Sequence, residues 1–114
     1  GKSKASALTI SKRLDRTSPL LFLGCASGII YPTVNLELAR TDSSGTSVTY
    51  YKINLSNVLV TSMETSSGGE RPTEKVALSY ERIVTEYYIQ DSKGVTSTSP
   101  TSTSVWNFAT NSAK

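Results

Sequence analysis

Histidine is absent from the 114 residues, which removes Ser-His-Asp and Cys-His catalysis and most zinc sites. The single cysteine, Cys25, has no partner for an intrachain disulfide. With Gly24 and Ala26 beside it and Leu21 and Leu23 close by, it reads as a buried, inert thiol. Carboxylates remain: Glu64, Glu70, Glu74, Glu81 and Glu86 could supply an acid/base pair, but they sit in alternating sequence, where charges are solvated, and no spacing selects two of them. Ser27 lies among small residues without a nucleophile elbow and without a base. Tyr50, Tyr51, Tyr87, Tyr88 and Trp106 could stack against a sugar or a peptide in a monomeric ligand-binding β-domain. Adjacent strand residues point to opposite faces, however, so at most one tyrosine of each pair could join such a platform. The residue types therefore predict no enzyme, no cofactor, no metal and no small-molecule substrate.

The elements that must position these residues follow from size and pattern. At 114 residues and 12.3 kDa the chain suffices for one domain with one core. Serine and threonine together number 34, and with 37% hydrophobic residues this balance favours strands with one wet face. Net charge is +3, with basic residues scattered among acidic ones rather than in a stripe, which argues against a nucleic-acid partner. The longest apolar run, Leu20 to Leu23, is far short of a membrane span, so no membrane insertion is expected. Lys2 and Lys4 precede polar alternation rather than a signal sequence, so unless a leader was removed export would need another route.

Alternation from Ala7 to Leu14 predicts a strand with Leu8, Ile10, Lys12 and Leu14 on one face, where Lys12 interrupts the apolar set and marks an edge or a subunit contact. Ser18 followed by Pro19 predicts a helix start, with Ser18 as the cap and Pro19 at the first helical position; Gly28 supplies a left-handed end. TVNLELAR, then TDSSGT, then a strand from Ser47 to Leu55 reads as a hairpin, followed by a break at Ser56-Asn57 and a short strand VLVTSMET. The longest strand is expected from Glu74 to about Gln90. Its apolar parity changes from Val76, Leu78 and Tyr80 to Ile83, Tyr87 and Ile89, so either a bulge near Glu81-Arg82 restores the register or both faces are covered. A loop, VTSTSPTSTS, and a terminal strand in VWNFATN complete a mainly β chain: a small antiparallel barrel or pair of packed sheets with one helix.

Four segments in order, LTISKRLDRTSPLLFLGCASG, YPTVNLELAR, NVLVTSMETSSGGERPTEKVALSYERIVTEY and VWNFATN, resemble the haemolysin-coregulated protein (Hcp) family, the tube-forming protein of bacterial type VI secretion. The resemblance implies a β-barrel with one helix in a single domain over residues 1–114, without the strands with which family members begin. It further implies homohexameric rings that stack into a tube, with sheath, spike and effector proteins as partners, a cytoplasmic stage, and secretion independent of a signal peptide. On that reading the two-faced strand gives subunit-interface candidates: Ile83, Val84, Tyr87 and Tyr88, together with Lys12, Glu70 and Arg71.

Overall fold

In the computed structural model, which describes residues 7–69 and 71–114, the element order is β1 (Leu8–Arg13), α1 (Ser18–Ser27), β2 (Ile30–Thr41), β3 (Ser47–Ser66), β4 (Thr73–Ser79), β5 (Arg82–Tyr87) and β6 (Ser102–Asn107). The strand after the hairpin does not end at Ser56-Asn57. It continues as β3 for 20 residues and is the longest strand, a place the sequence reading gave to Glu74–Gln90. That segment is instead divided into β4 and β5.

Register explains both corrections. Along one edge of β3 runs β2, from Ile30↔Leu59 to Thr41↔Ser47. Along the other edge β4 and β5 lie end to end, because Leu59 pairs with Ser79 while Ser56 pairs with Arg82. β1 pairs with the far edge of β4, and β6 with the far edge of β5, all antiparallel. One six-stranded sheet results, coiled in a barrel-like way rather than divided into two.

A crease crosses this sheet at one level. On β3 the inward residues change from Ile53 and Leu55 to Val58 and Val60; on β2 they change from Tyr31 to Val34 and Leu36; along the line of β4 and β5, from Leu78 and Tyr80 to Ile83. Each parity change falls on a residue or pair that breaks alternation: Asn57, Pro32 and Tyr80-Glu81. Asn57 takes φ 54, a left-handed conformation that asparagine tolerates better than most side chains. Its amide donates to Glu81 Oε2 at 2.9 Å, and Glu81 N–H donates to Ser56 O at 3.0 Å. The parity change near Glu81 is thus a local break matched on the neighbouring strands, and it turns Ile83 inward.

Leu55, Val58, Val60, Val76 and Leu78 form the buried centre, with Leu8, Ile10, Leu21, Cys25 and Ile83 among the partly buried residues around it. α1 lies on this face. Gly24 lets it approach closely, since a Cβ there would come within 2.9 Å of the Tyr31 ring, and Tyr31 OH donates to Leu20 O at 3.3 Å. Gly28, at φ 71, ends the helix as expected, its N–H donating to Gly24 O. Cys25 packs against the centre but is only half-buried, because a surface helix covers just one of its own sides.

The start of α1 differs from the sequence reading. Thr17 occupies the cap position without a side-chain cap bond, Ser18 is the first helical residue, and Pro19 follows in the first turn. Ser18 Oγ instead donates to Glu74 Oε1 at 2.7 Å and accepts from Asp15 N–H at 3.1 Å. Glu74 Oε1 also faces Lys12 Nζ at 2.5 Å, with 1% of the Glu74 side chain exposed. Lys12 therefore points inward, opposite its cross-strand partner, and reaches Asp15 Oδ1 at 3.0 Å as well. Burial pushes Lys12 down, but hydrogen bonds to Glu74 and Asp15 outweigh it and leave the ammonium above its usual pKa. The Thr17 hydroxyl first, then Lys12, hold Asp15 down from 3.8 to about 2.

Removing one partner of a buried pair leaves a charge uncompensated. Glu74→Ala should cost about 3–5 kcal/mol in urea unfolding, whereas the joint replacement Lys12→Met with Glu74→Leu should recover most of that loss. For Asp15 the folded pKa lies below the unfolded one, so its contribution is complete above the ordinary carboxylate value of 3.8 and disappears as pH falls through about 2. Asp15→Asn should lower stability at neutral pH and flatten the stability profile across that acid window, as followed by thermal melts. An unchanged acid slope would count against the assignment.

Candidate functional site

Among the described residues no group of three or more His, Cys, Asp or Glu side chains could hold a metal ion. Nor do the carboxylates converge on a reacting centre. Glu74 is consumed by Lys12 and Ser18, and Glu81 by Asn57. On the sheet face opposite the core, Glu37, Lys52 and Glu86 form a cross-strand row. They line a shallow depression of about 410 Å³ with Asn35, Asn54 and Val84. Alternating charge on neighbouring strands supports pairing.

The aromatic residues make no flat platform. Tyr50 and Tyr87 meet edge to face at 84°, and Tyr51 and Tyr87 at 59°. Tyr88 is 8% exposed, with Lys52 Nζ 5.3 Å from its ring centre. Arg40 stacks over Tyr50 and donates to Tyr88 O at 3.3 Å. Trp106 pairs across from Ile83 on β6.

Of the interface candidates, the structure covers Ile83 against the core and Tyr88 beneath its own chain. Val84 is half-buried on the opposite face, Lys12 is held by Glu74, and Tyr87 and Arg71 are exposed. Glu70 lies outside the described residues. These residues do not come together as one patch.

Exposed apolar surface gathers elsewhere. α1 carries no charged residue, and Leu20 and Phe22 are each 65% exposed and Leu23 57%; Ile29 and Ile30 continue the patch onto β2. The sequence reading places Cys25 in buried surroundings and gives no notice of the helix's outer side. The signal was present: a stretch apolar at nearly every position has no wet face to offer. A second set lies toward the other end of β2, where the exposed Leu38 and Tyr87 align across the half-buried Tyr51 and the exposed Ile89 follows.

The sheet also leaves a seam. β1 and β2 each pair on one edge only, and an apolar slot of about 250 Å³ opens beside them, lined by Ile10, Leu21, Tyr31, Val34, Leu36 and Val76 among others. The radius of gyration is 16.2 Å, against ~13 Å for a compact chain of this length. Much of the inner face is therefore only partly covered. No described helix is long and apolar enough to cross a membrane.

Known proteins share this arrangement. Residues 1–87 match the family described as "Type VI secretion system effector, Hcp". Protein hcp1 of Pseudomonas aeruginosa is 34% identical over 112 residues, covering 96% of this chain and 68% of that protein. A solved structure of a type six secretion system protein superimposes with a TM-score of 0.86 at 26% identity, covering all of this chain and 70% of the other. Hcp1 from Salmonella typhimurium gives a TM-score of 0.74 at 26% identity, covering 96% and 72%. The chain thus spans about two thirds of the length of each of these relatives.

Proposed function

The chain belongs to the Hcp family of type VI secretion proteins, and from that premise we propose that it is a structural tube subunit that acts by assembly and containment rather than by chemistry. Copies of it close into hexameric rings, rings stack into a tube inside the contractile sheath beneath the spike, and effector proteins travel in the lumen. Export proceeds from the cytoplasm through the machinery without a cleaved signal. The observation that supports this reading most is the uncharged helix α1, whose outer side leaves Leu20, Phe22 and Leu23 in water. Clustered apolar surface of this kind marks an interaction site. The dispersed carboxylates and the missing histidine point the same way.

Tyr88 is 8% exposed and Ile83 is half-buried against the core, so the larger apolar surface open to a second copy lies on α1 and on the exposed Tyr87. A monomeric ligand-binding domain would require an aromatic face, and the tilted tyrosines provide none.

Sedimentation and negative-stain imaging test the assembly. Rings with a central opening, and the protein in the medium of cells whose secretion machinery is active, are the expected results. A 12.3 kDa particle at every concentration, together with absence from the medium, would defeat the proposal.

A further inference from the structure

The crease does not stop at Tyr80-Glu81. Beyond that line β1 pairs as far as Leu8↔Leu78 and β6 as far as Arg82↔Asn107, so a gap in the outer ladder falls at the level of Asn57 and Pro32. Residues 107–114 fold back over this gap. Asn107 exchanges backbone hydrogen bonds with Ser112, at 2.7 and 3.1 Å, and its side-chain oxygen accepts from the N–H groups of Ala109 and Thr110, a turn that asparagine forms readily. Asn111, at φ 53, completes the reversal. The chain then returns to where the loop began, and Arg82 Nε donates to Lys114 O at 3.0 Å.

Two contacts tie the loop to the crease itself. Phe108 N–H donates to Glu81 O at 2.7 Å, and the Phe108 ring meets Tyr80 edge to face with centroids 5.9 Å apart. Glu81 in turn holds β3, its carboxylate accepting from the Asn57 amide and its N–H donating to Ser56 O. On β2, Tyr31 pairs with Val58 and Thr33 with Ser56, on either side of Pro32, which has no N–H to give the ladder. A continuous line of contacts therefore runs from Arg82 and Phe108 through Glu81 and Asn57 to Pro32. The loop is lightly held: Ala109, Thr110, Asn111, Ala113 and Lys114 are exposed, and Phe108 is its one large apolar side chain. Segments with few buried apolar contacts are the ones that open at the lowest free energy.

We propose that residues 107–114 are a strap across the crease, with Phe108 as its wedge and Arg82 as its catch, and that the strap holds at one angle the two parts of the sheet on either side: β1 and β4 with α1 on one, β5 and β6 on the other. β2 and β3 run through the crease on Pro32 and on the left-handed Asn57, residues that interrupt alternation and make this the level where the sheet bends most easily. With the strap seated the bend is fixed. With Arg82 disengaged the loop lifts away, Glu81 loses the N–H of Phe108, and the two parts swing about Asn57. Assembly is not required, since every residue involved belongs to one chain.

Hydrogen exchange of the whole chain, read peptide by peptide by mass spectrometry, tests the strap at residues it does not touch. Arg82→Met keeps the side-chain stem and removes the donor; Phe108→Ala removes the wedge. Both should speed exchange about tenfold or more in peptides covering 29–34 and 54–58, on β2 and β3, while peptides within β1 and β4 keep the wild-type rate. Acceleration confined to 80–82 and 107–114, or none at all, would make the loop a local tie and overturn the proposal. Uniform acceleration that includes β1 and β4 would mean a loss of global stability rather than release of the crease, and would overturn it too. Should Phe108→Ala fail to fold, Arg82→Met, which removes the Lys114 hydrogen bond alone, carries the same comparison.

Discussion

A carboxylate almost wholly out of water cannot remain charged without partners, and much of the arrangement around β1 and α1 follows from how Glu74 finds them. Lys12 on β1 and Ser18 on α1 both meet Glu74 Oε1 on β4. Three segments that share no local sequence are thereby held at fixed positions. Hydrophobic burial is non-directional and would permit β1 to slide along β4. The ion pair does not, because a slip of one residue would turn Lys12 to the solvent face and leave Glu74 alone. The register Lys12↔Glu74 is therefore specified by charge, and the orientation of the helix follows from the hydroxyl that shares the same oxygen.

The helix and the strand character of the segments around it were legible in the sequence, because alternation, the Ser-Pro start and the Gly28 end are local signals, but β3 read as two strands and β4 with β5 as one. Less legible was anything set by pairing between strands. Ser56-Asn57 reads as a break since asparagine commonly marks turns, yet β2 on one side and β4 with β5 on the other carry the strand through it. Conversely, the uniform look of the sequence from Glu74 to Gln90 hides the interruption at Tyr80-Glu81, visible only as a change of apolar parity. Lys12 was noticed as an anomaly on an apolar face. Its partner could not be read, lying some 60 residues later, and the same distance hid the tie between Ser18 and Glu74.

The site was harder to read than the fold, for a physical reason. Catalytic and metal centres are announced by residue type, and this sequence holds no histidine to announce one. Assembly surfaces are made of the same leucines and tyrosines as a core, so only exposure distinguishes them. The long two-faced strand drew attention to Ile83 and Tyr88, which the crease and the Lys52 and Arg40 side chains cover internally. Leu20, Phe22 and Leu23 drew no such attention, because only their exposure sets them apart.

Pairing β1 with β4 also has a cost in time. β2 and β3 join through a tight turn, and β4 follows β3 after a short loop, but Leu8 must find Leu78 across roughly 70 residues of chain. Loop closure of that length is entropically unfavourable until the contacts it brings are made, so local hairpins have the kinetic advantage and β1 is the late arrival. Until it docks, the outer edge of β4 carries unpaired backbone groups and Glu74 lacks its lysine. That edge cannot distinguish its own β1 from the β1 of another nascent copy, since both bring the same lysine at the same register. Which one arrives is a contest between the effective concentration of a tethered strand, in the millimolar range at best for flexible tethers, and the local crowding of newly made chains.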